Sequence, residues 1–98
     1  MKIKQMSLKK SASDKLDIAW TLSGREQSSY ELFLICNGAV AEAVKASSEH
    51  TQCRLNTVIE PMKSYAILLT VTSGGQMASV CAGIYPIKEK DFCQTIIY

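Results

Sequence analysis

The 98 residues, 47% of them hydrophobic and 20% charged, have the composition of one ordinary globular domain. A chain of this length buries roughly 60 to 65% of its unfolded surface, so it needs neither a metal nor a disulfide framework to fold. A net charge of +2 is too small to argue for nucleic acid, and no apolar run is long enough to cross a bilayer, so neither nucleic acid nor membrane is expected as a partner.

Lys2, Lys4, Lys9, Lys10 and Lys15 crowd the first fifteen residues, and the first acid is Asp14. Lysines on an edge strand discourage edge-to-edge pairing, so a solvated edge is the expected reading. The lysine-rich start is not followed by the apolar stretch of a signal peptide, which places the chain in the cytoplasm unless it is a piece of an exported protein. Lys2 to Leu8 alternates as a first strand, with Ile3 and either Met6 or Leu8 available to a core. Lys9 to Asp14 is a polar turn. Lys15 to Leu22 sets Leu16, Ile18, Trp20 and Leu22 on one face and Asp17, Ala19 and Thr21 on the other, a half-buried strand anchored by Trp20.

Ser23 to Ser29 is a polar loop. Tyr30 to Cys36 is the third strand, with Tyr30, Leu32, Leu34 and Cys36 on one face and Glu31, Phe33 and Ile35 on an unusually apolar second face. Asn37-Gly38 then predicts a tight hairpin, because both residues tolerate the positive φ of a type I′ turn. Ala39 to Ala46 favours helix by propensity and strand by its position after that turn; strand is expected, since eight residues make a marginal helix. Ser47 to Thr51 is loop and leaves His50 in solvent. Gln52 to Val58 is the fifth strand, with Cys53, Leu55 and Val58 inward.

Glu60 to Ser64 forms a turn, because Pro61 cannot donate to a ladder. Tyr65 to Val71 follows as a central strand with two fairly apolar faces, Tyr65, Ile67, Leu69 and Val71 against Ala66, Leu68 and Thr70. Gly74-Gly75 makes a tight connection to a seventh strand, Met77 to Tyr85, which Pro86 ends. Ile87 to Asp91 is a charged connector. Phe92 to Tyr98 is apolar again and is expected to add a strand, to pack against a neighbour or to begin a following domain. The expected organisation is therefore a sandwich over residues 1–86 and a tail over 87–98.

Cys36, Cys53, Cys81 and Cys93 are widely spaced, with no Cys-x-x-Cys pair and only His50 to help hold a metal. Cys36, Cys53 and Cys81 lie in apolar segments and are expected as buried thiols, with a disulfide as the alternative. No metal or other cofactor is expected.

Seven strands separated by turn signals, with no convincing helix, argue for an all-β antiparallel sandwich. The order of landmarks then resembles a fibronectin type III domain of the immunoglobulin-like class: Trp20 on the second strand, Tyr30 opening the third, and Ile59-x-Pro61-x-x-x-Tyr65 before the sixth. The resemblance covers Ile3 to about Tyr85. It implies a tyrosine corner, with the Tyr65 hydroxyl bonded to backbone upstream and Ile59 standing where the family has leucine. It further implies strands A, B and E packed against C′, C, F and G, with Trp20, Tyr30, Pro61 and Tyr65 as core landmarks, and no enzyme. There is no Arg-Gly-Asp before the seventh strand and no Trp-Ser-x-Trp-Ser motif, which leaves integrin binding and cytokine-receptor membership without support. Neither Asn37 nor Asn56 begins a glycosylation sequon.

Catalysis needs a nucleophile with a base, paired carboxylates or a metal. One histidine in a loop and the scattered Glu26, Glu31, Glu42, Glu49, Glu60 and Asp91 assemble none of these, so no catalytic, cofactor or metal residue is assigned. Phe33, Ile35, Ala66 and Leu68 should lie outward on neighbouring strands as an exposed apolar patch, the mark of a contact surface. The expected function is a non-catalytic interaction or spacer module, its partner another protein or a neighbouring domain in a larger chain. A carbohydrate-active enzyme is one such parent: the family often accompanies glycoside hydrolases, and Gly24-x-x-Gln27-x-x-Tyr30 resembles the first domain of bacterial α-L-rhamnosidases. The alternative is a stand-alone domain that forms homo-oligomers through the same outer face or through the tail. Direct carbohydrate binding through Trp20 or Tyr85 competes with the packing role of Trp20 and has no motif behind it.

Overall fold

Alternating apolar and polar residues build eight strands in the computed structural model, which describes residues 1–24, 26–84 and 92–98. They are β1 (Lys2–Lys10), β2 (Lys15–Ser23), β3 (Ser29–Cys36), β4 (Ala39–Ala46), β5 (Gln52–Val58), β6 (Tyr65–Ser73), β7 (Gln76–Ile84) and β8 (Cys93–Ile97). All pairings are antiparallel and form two four-stranded sheets, β5-β2-β1-β8 and β4-β3-β6-β7. Each sheet buries one face against the other, because residues of one parity in each strand are the apolar ones. Leu8, Leu16, Ile18 and Leu55 from the first sheet meet Leu32, Leu34, Ile67 and Leu69 from the second, all eight withdrawn from solvent.

Turn chemistry fixes the hairpins. Asn37 and Gly38 have φ of 49° and 86°, and Gly74 and Gly75 have 52° and 85°, the doubly positive pairs that match strand twist in two-residue loops. β4 is a strand, as its position after Asn37-Gly38 requires; long-range pairing with β3 overrides the alanine-rich helix propensity.

The structure changes the sequence reading at several points. There are eight strands among the described residues and not seven, since Cys93–Ile97 pairs with β1 from Lys9↔Cys93 to Gln5↔Ile97. The apolar tail is thus a strand of this sandwich, with Phe92, Ile96 and Tyr98 packed on the core, and β1, expected as a solvated edge, is an interior strand between β2 and β8. In β1 the register to β2 slips between Ile3 and Gln5, a bulge that shifts the strand's phase by one residue. Ile3, Met6 and Leu8 are therefore all buried, where plain alternation would set Ile3 on the face opposite Met6 and Leu8.

β5 alternates without a break, with Cys53, Leu55 and Thr57 inward, so Val58, expected inward, faces solvent and Ile59 takes the core position beyond it. Cys36 and Cys53 are only half-buried. Cys81 is exposed on the outer face of β7, and the expectation of a buried thiol fails there because the strand's parity places Ala82 and not Cys81 in the core. Tyr85, Pro86, the 87–91 connector and its Asp91 lie outside the described residues, as does Arg25.

Candidate interaction surface

Tyr65 opens β6 from inside the core, and its hydroxyl oxygen accepts the backbone N–H of Glu60 at 2.8 Å. Pro61, expected as a core landmark with Trp20, Tyr30 and Tyr65, is instead exposed, because it stands in the turn between Glu60 and Tyr65, where it has no N–H to satisfy. Trp20 and Tyr30 meet edge to face with ring centroids 5.0 Å apart, which ties β2 of one sheet to β3 of the other.

The Trp20 indole Nε1 donates to Gln27 Oε1 at 2.8 Å, and Gln27 Nε2 donates to the backbone carbonyls of Ser48 and His50 at 3.0 and 2.6 Å. Gln27 is buried and every polar position of its amide is used. It thereby fastens the β2–β3 and β4–β5 loops over the tryptophan. In the sequence Gln27 is one polar residue among several in a loop, and only its spacing to Trp20 and Tyr30 distinguishes it.

Four carboxylates, Asp14, Asp17, Glu42 and Glu60, each have their own partner. Glu42 projects from the edge strand β4 to the edge strand β5 of the other sheet, where it accepts the backbone N–H groups of Asn56 and Thr57 and the Thr57 hydroxyl at 2.7 to 3.0 Å. Burial pushes the Glu42 carboxyl up, but these donors outweigh it and hold the group below its ordinary value. Asp17 lies on the outer face of β2 in a two-point pair with Arg54, whose hydrogen bonds hold its carboxyl below the usual range. Glu60 pairs with Lys63, and Lys10 with Asp14 at 3.6 Å. Among the described residues no three His, Cys, Asp or Glu side chains gather in a metal-holding group. His50 is exposed and is engaged through its backbone.

Phe33, Ile35, Ala66 and Leu68 are brought together. Phe33 stands opposite Leu68 and Ile35 opposite Ala66 on the outer face of the second sheet. They are half-buried and not fully exposed, because neighbours in the same face flank each of them. The register carries both rows across all four strands: Ala43, Phe33, Leu68 and Cys81 form one, and Val40, Ile35, Ala66 and Gly83 the next. Val40 is 61% exposed, and among the described residues nothing lies within 4 Å above Gly83. The row beyond, Lys45, Glu31, Thr70 and Ser79, is polar.

The outer face of the first sheet has the opposite character. Cys93, Lys9, Asp17 and Arg54 make one row, and Thr95, Ser7, Ala19 and Gln52 the next. Small Ser7 and Ala19 between longer neighbours leave a shallow depression of about 510 Å3 there, open to solvent and rimmed by Lys9, Asp17, Gln52 and Arg54. The sandwich therefore has one polar and one apolar outer face.

No protein-family model, curated protein or solved structure matches the chain.

Proposed function

We propose that this domain is a non-catalytic interaction or spacer module of the fibronectin type III kind, docking a protein or a neighbouring domain on the outer face of β4-β3-β6-β7. The observation that carries this is the pair of apolar rows crossing all four strands of that face, with Phe33, Ile35, Ala66 and Leu68 at its centre. An ordinary solvated sheet face alternates to polar side chains outward, as the opposite face does; apolar rows of this extent are what a docking surface presents. Three features support the family reading: the grouping of β1, β2 and β5 against β4, β3, β6 and β7, the Tyr65 hydroxyl on the Glu60 amide, and Trp20 in the core. A parent such as a carbohydrate-active enzyme, with the domain as an accessory unit, accords with this role.

The reading is tested by replacing Phe33 and Leu68 together with serine. The parent is expected to bind an apolar fluorescent dye in its native state, and the double variant to lose that binding while melting within a few degrees of the parent. A parent that binds no dye has no open apolar face. A double variant that fails to fold assigns these side chains to the core and removes the docking role.

A further inference from the structure

Edge strands expose a row of unpaired backbone groups, and proteins blunt them with charge, proline, bulges or short length. Three of the four sheet edges among the described residues are blunted. β4 carries Glu42 and Lys45 and has a register slip against β3, β5 carries Arg54 and has a slip against β2, and β8 is only five residues long. β7 has none of these devices. Its nine residues, Gln-Met-Ala-Ser-Val-Cys-Ala-Gly-Ile, include no charge and no proline, and they pair with β6 without a slip from Ser73↔Gln76 to Tyr65↔Ile84.

The two-residue Gly74-Gly75 hairpin makes Ser73 and Gln76 a hydrogen-bonded pair, and the antiparallel alternation then turns the N–H and C=O of Met77, Ser79, Cys81 and Gly83 away from β6. Among the described residues one hydrogen bond reaches this row, from the Tyr98 hydroxyl to the Cys81 carbonyl at a long 3.4 Å.

We propose that β7 is a self-pairing edge: two copies of this chain join β7 to β7 antiparallel about a two-fold axis and merge their β4-β3-β6-β7 sheets into one continuous sheet. A two-fold axis sets a strand against its own residues, so an edge bearing charge meets like charge in some registers, whereas β7 meets none in any. Centred on Val80, the pairing forms roughly eight ladder bonds from the outward groups, and the single Tyr98 bond yields to them. This register also sets Met77 opposite Gly83 of the second copy. Met77 is 70% exposed and no atom of the described residues lies within 4 Å above Gly83, so the thioether fills a place that a glycine leaves open. The inference stands on the edge and not on what docks to the outer face, although it would extend that face across both copies.

The test measures solution mass by light scattering over a concentration series, together with thiol cross-linking by a short bis-maleimide in a Cys93→Ser background. In the proposed register the two Cys81 residues are diagonal neighbours roughly 7 to 8 Å apart, within the reach of such a reagent. Ser79→Pro removes an outward N–H without touching the ladder to β6 and places a ring on the edge. The expected result is a mass that rises to twice that of the chain and a cross-link lost in Cys81→Ser. Ser79→Pro, or Ser79→Lys should the proline variant not fold, returns both to monomer. Phe33→Ser with Leu68→Ser keeps the dimer. A parent that stays monomeric to its solubility limit overturns the proposal. So does a dimer that survives a folded Ser79 variant but is lost with Phe33 and Leu68; that result assigns association to the outer face. Strand addition by a foreign extended peptide, with no self-association, overturns the choice of a second copy.

Discussion

At the scale of single residues, two side chains set the turns that hold the sheets together. Tyr65→Phe removes the acceptor of the Glu60 amide and changes nothing else of the ring's burial. It is expected to lower stability by roughly 1 to 3 kcal/mol in a denaturant titration, the cost of an amide left without its partner. A change within error would show that the hydroxyl does not organise the corner. Gln27→Ala reaches further, because it strands the Trp20 indole N–H and releases the carbonyls of Ser48 and His50 together. About 2 to 4 kcal/mol of stability should be lost, and the Trp20 fluorescence should shift as water reaches the indole. Gln27→Glu separates hydrogen bonding from size. It keeps the indole's acceptor but loses both donors, so the two loops loosen while the tryptophan emission stays near that of the parent.

At the scale of elements, β8 decides how the first sheet ends. It covers the β1 edge through five residue pairs, and Tyr98 continues the cover with its backbone N–H on the Lys4 carbonyl at 2.9 Å. Removal of residues 92–98 uncovers β1 and also takes Phe92, Ile96 and Tyr98 from the core's margin. The truncated chain is expected to melt several degrees lower and to associate more than the full chain as measured by light scattering. A truncated chain that is monomeric and equally stable would show that β8 contributes nothing to the fold.

Sequence legibility followed how local each determinant is. Both tight hairpins were readable because Asn37-Gly38 and Gly74-Gly75 carry their conformations in two residues, and the strands were readable because period-two alternation is a local property. The β1 bulge was not, since an extra residue in one strand shows only when its partner's register is known. β8 was open between three outcomes for the same reason: Cys-Gln-Thr-Ile-Ile specifies an extended segment but not which edge receives it. The outer-face residues were legible as a set, because strands joined by hairpins keep their parity. The four-strand extent of the apolar rows needed the pairings themselves.

At the scale of the whole molecule, the buried and bonded ionisable groups set stability limits on both sides of neutrality. Glu42 and Asp17 have carboxyls held below their ordinary values, Glu42 by donors on β5 that outweigh burial and Asp17 by Arg54. A carboxyl depressed in the folded state contributes stability above its unfolded pKa, about 4, and that contribution is lost as pH falls through the lower folded value. On the other side, burial pushes the hydroxyls of Tyr30 and Tyr65 up, which favours their neutral forms in the fold. A raised acid contributes stability that is whole below the unfolded tyrosine pKa, about 10, and that fades as pH climbs through the higher folded value. Denaturation midpoints measured from acid to alkali should therefore form a plateau that falls below about pH 4 and above about pH 10. Variants tell the limbs apart. Glu42→Gln has no charge to lose, so it should lower the plateau and flatten the acid limb while leaving the alkaline one in place. Tyr65→Phe should also lower the plateau but soften only the alkaline limb, leaving Tyr30, Tyr98 and the Cys53 thiol, all pushed up by burial, to set what remains. A Glu42→Gln acid limb as steep as the parent's would mean that the two sheet edges are not held by the ionised carboxylate, and that the β4–β5 seam depends on packing of Val44 and Leu55 instead.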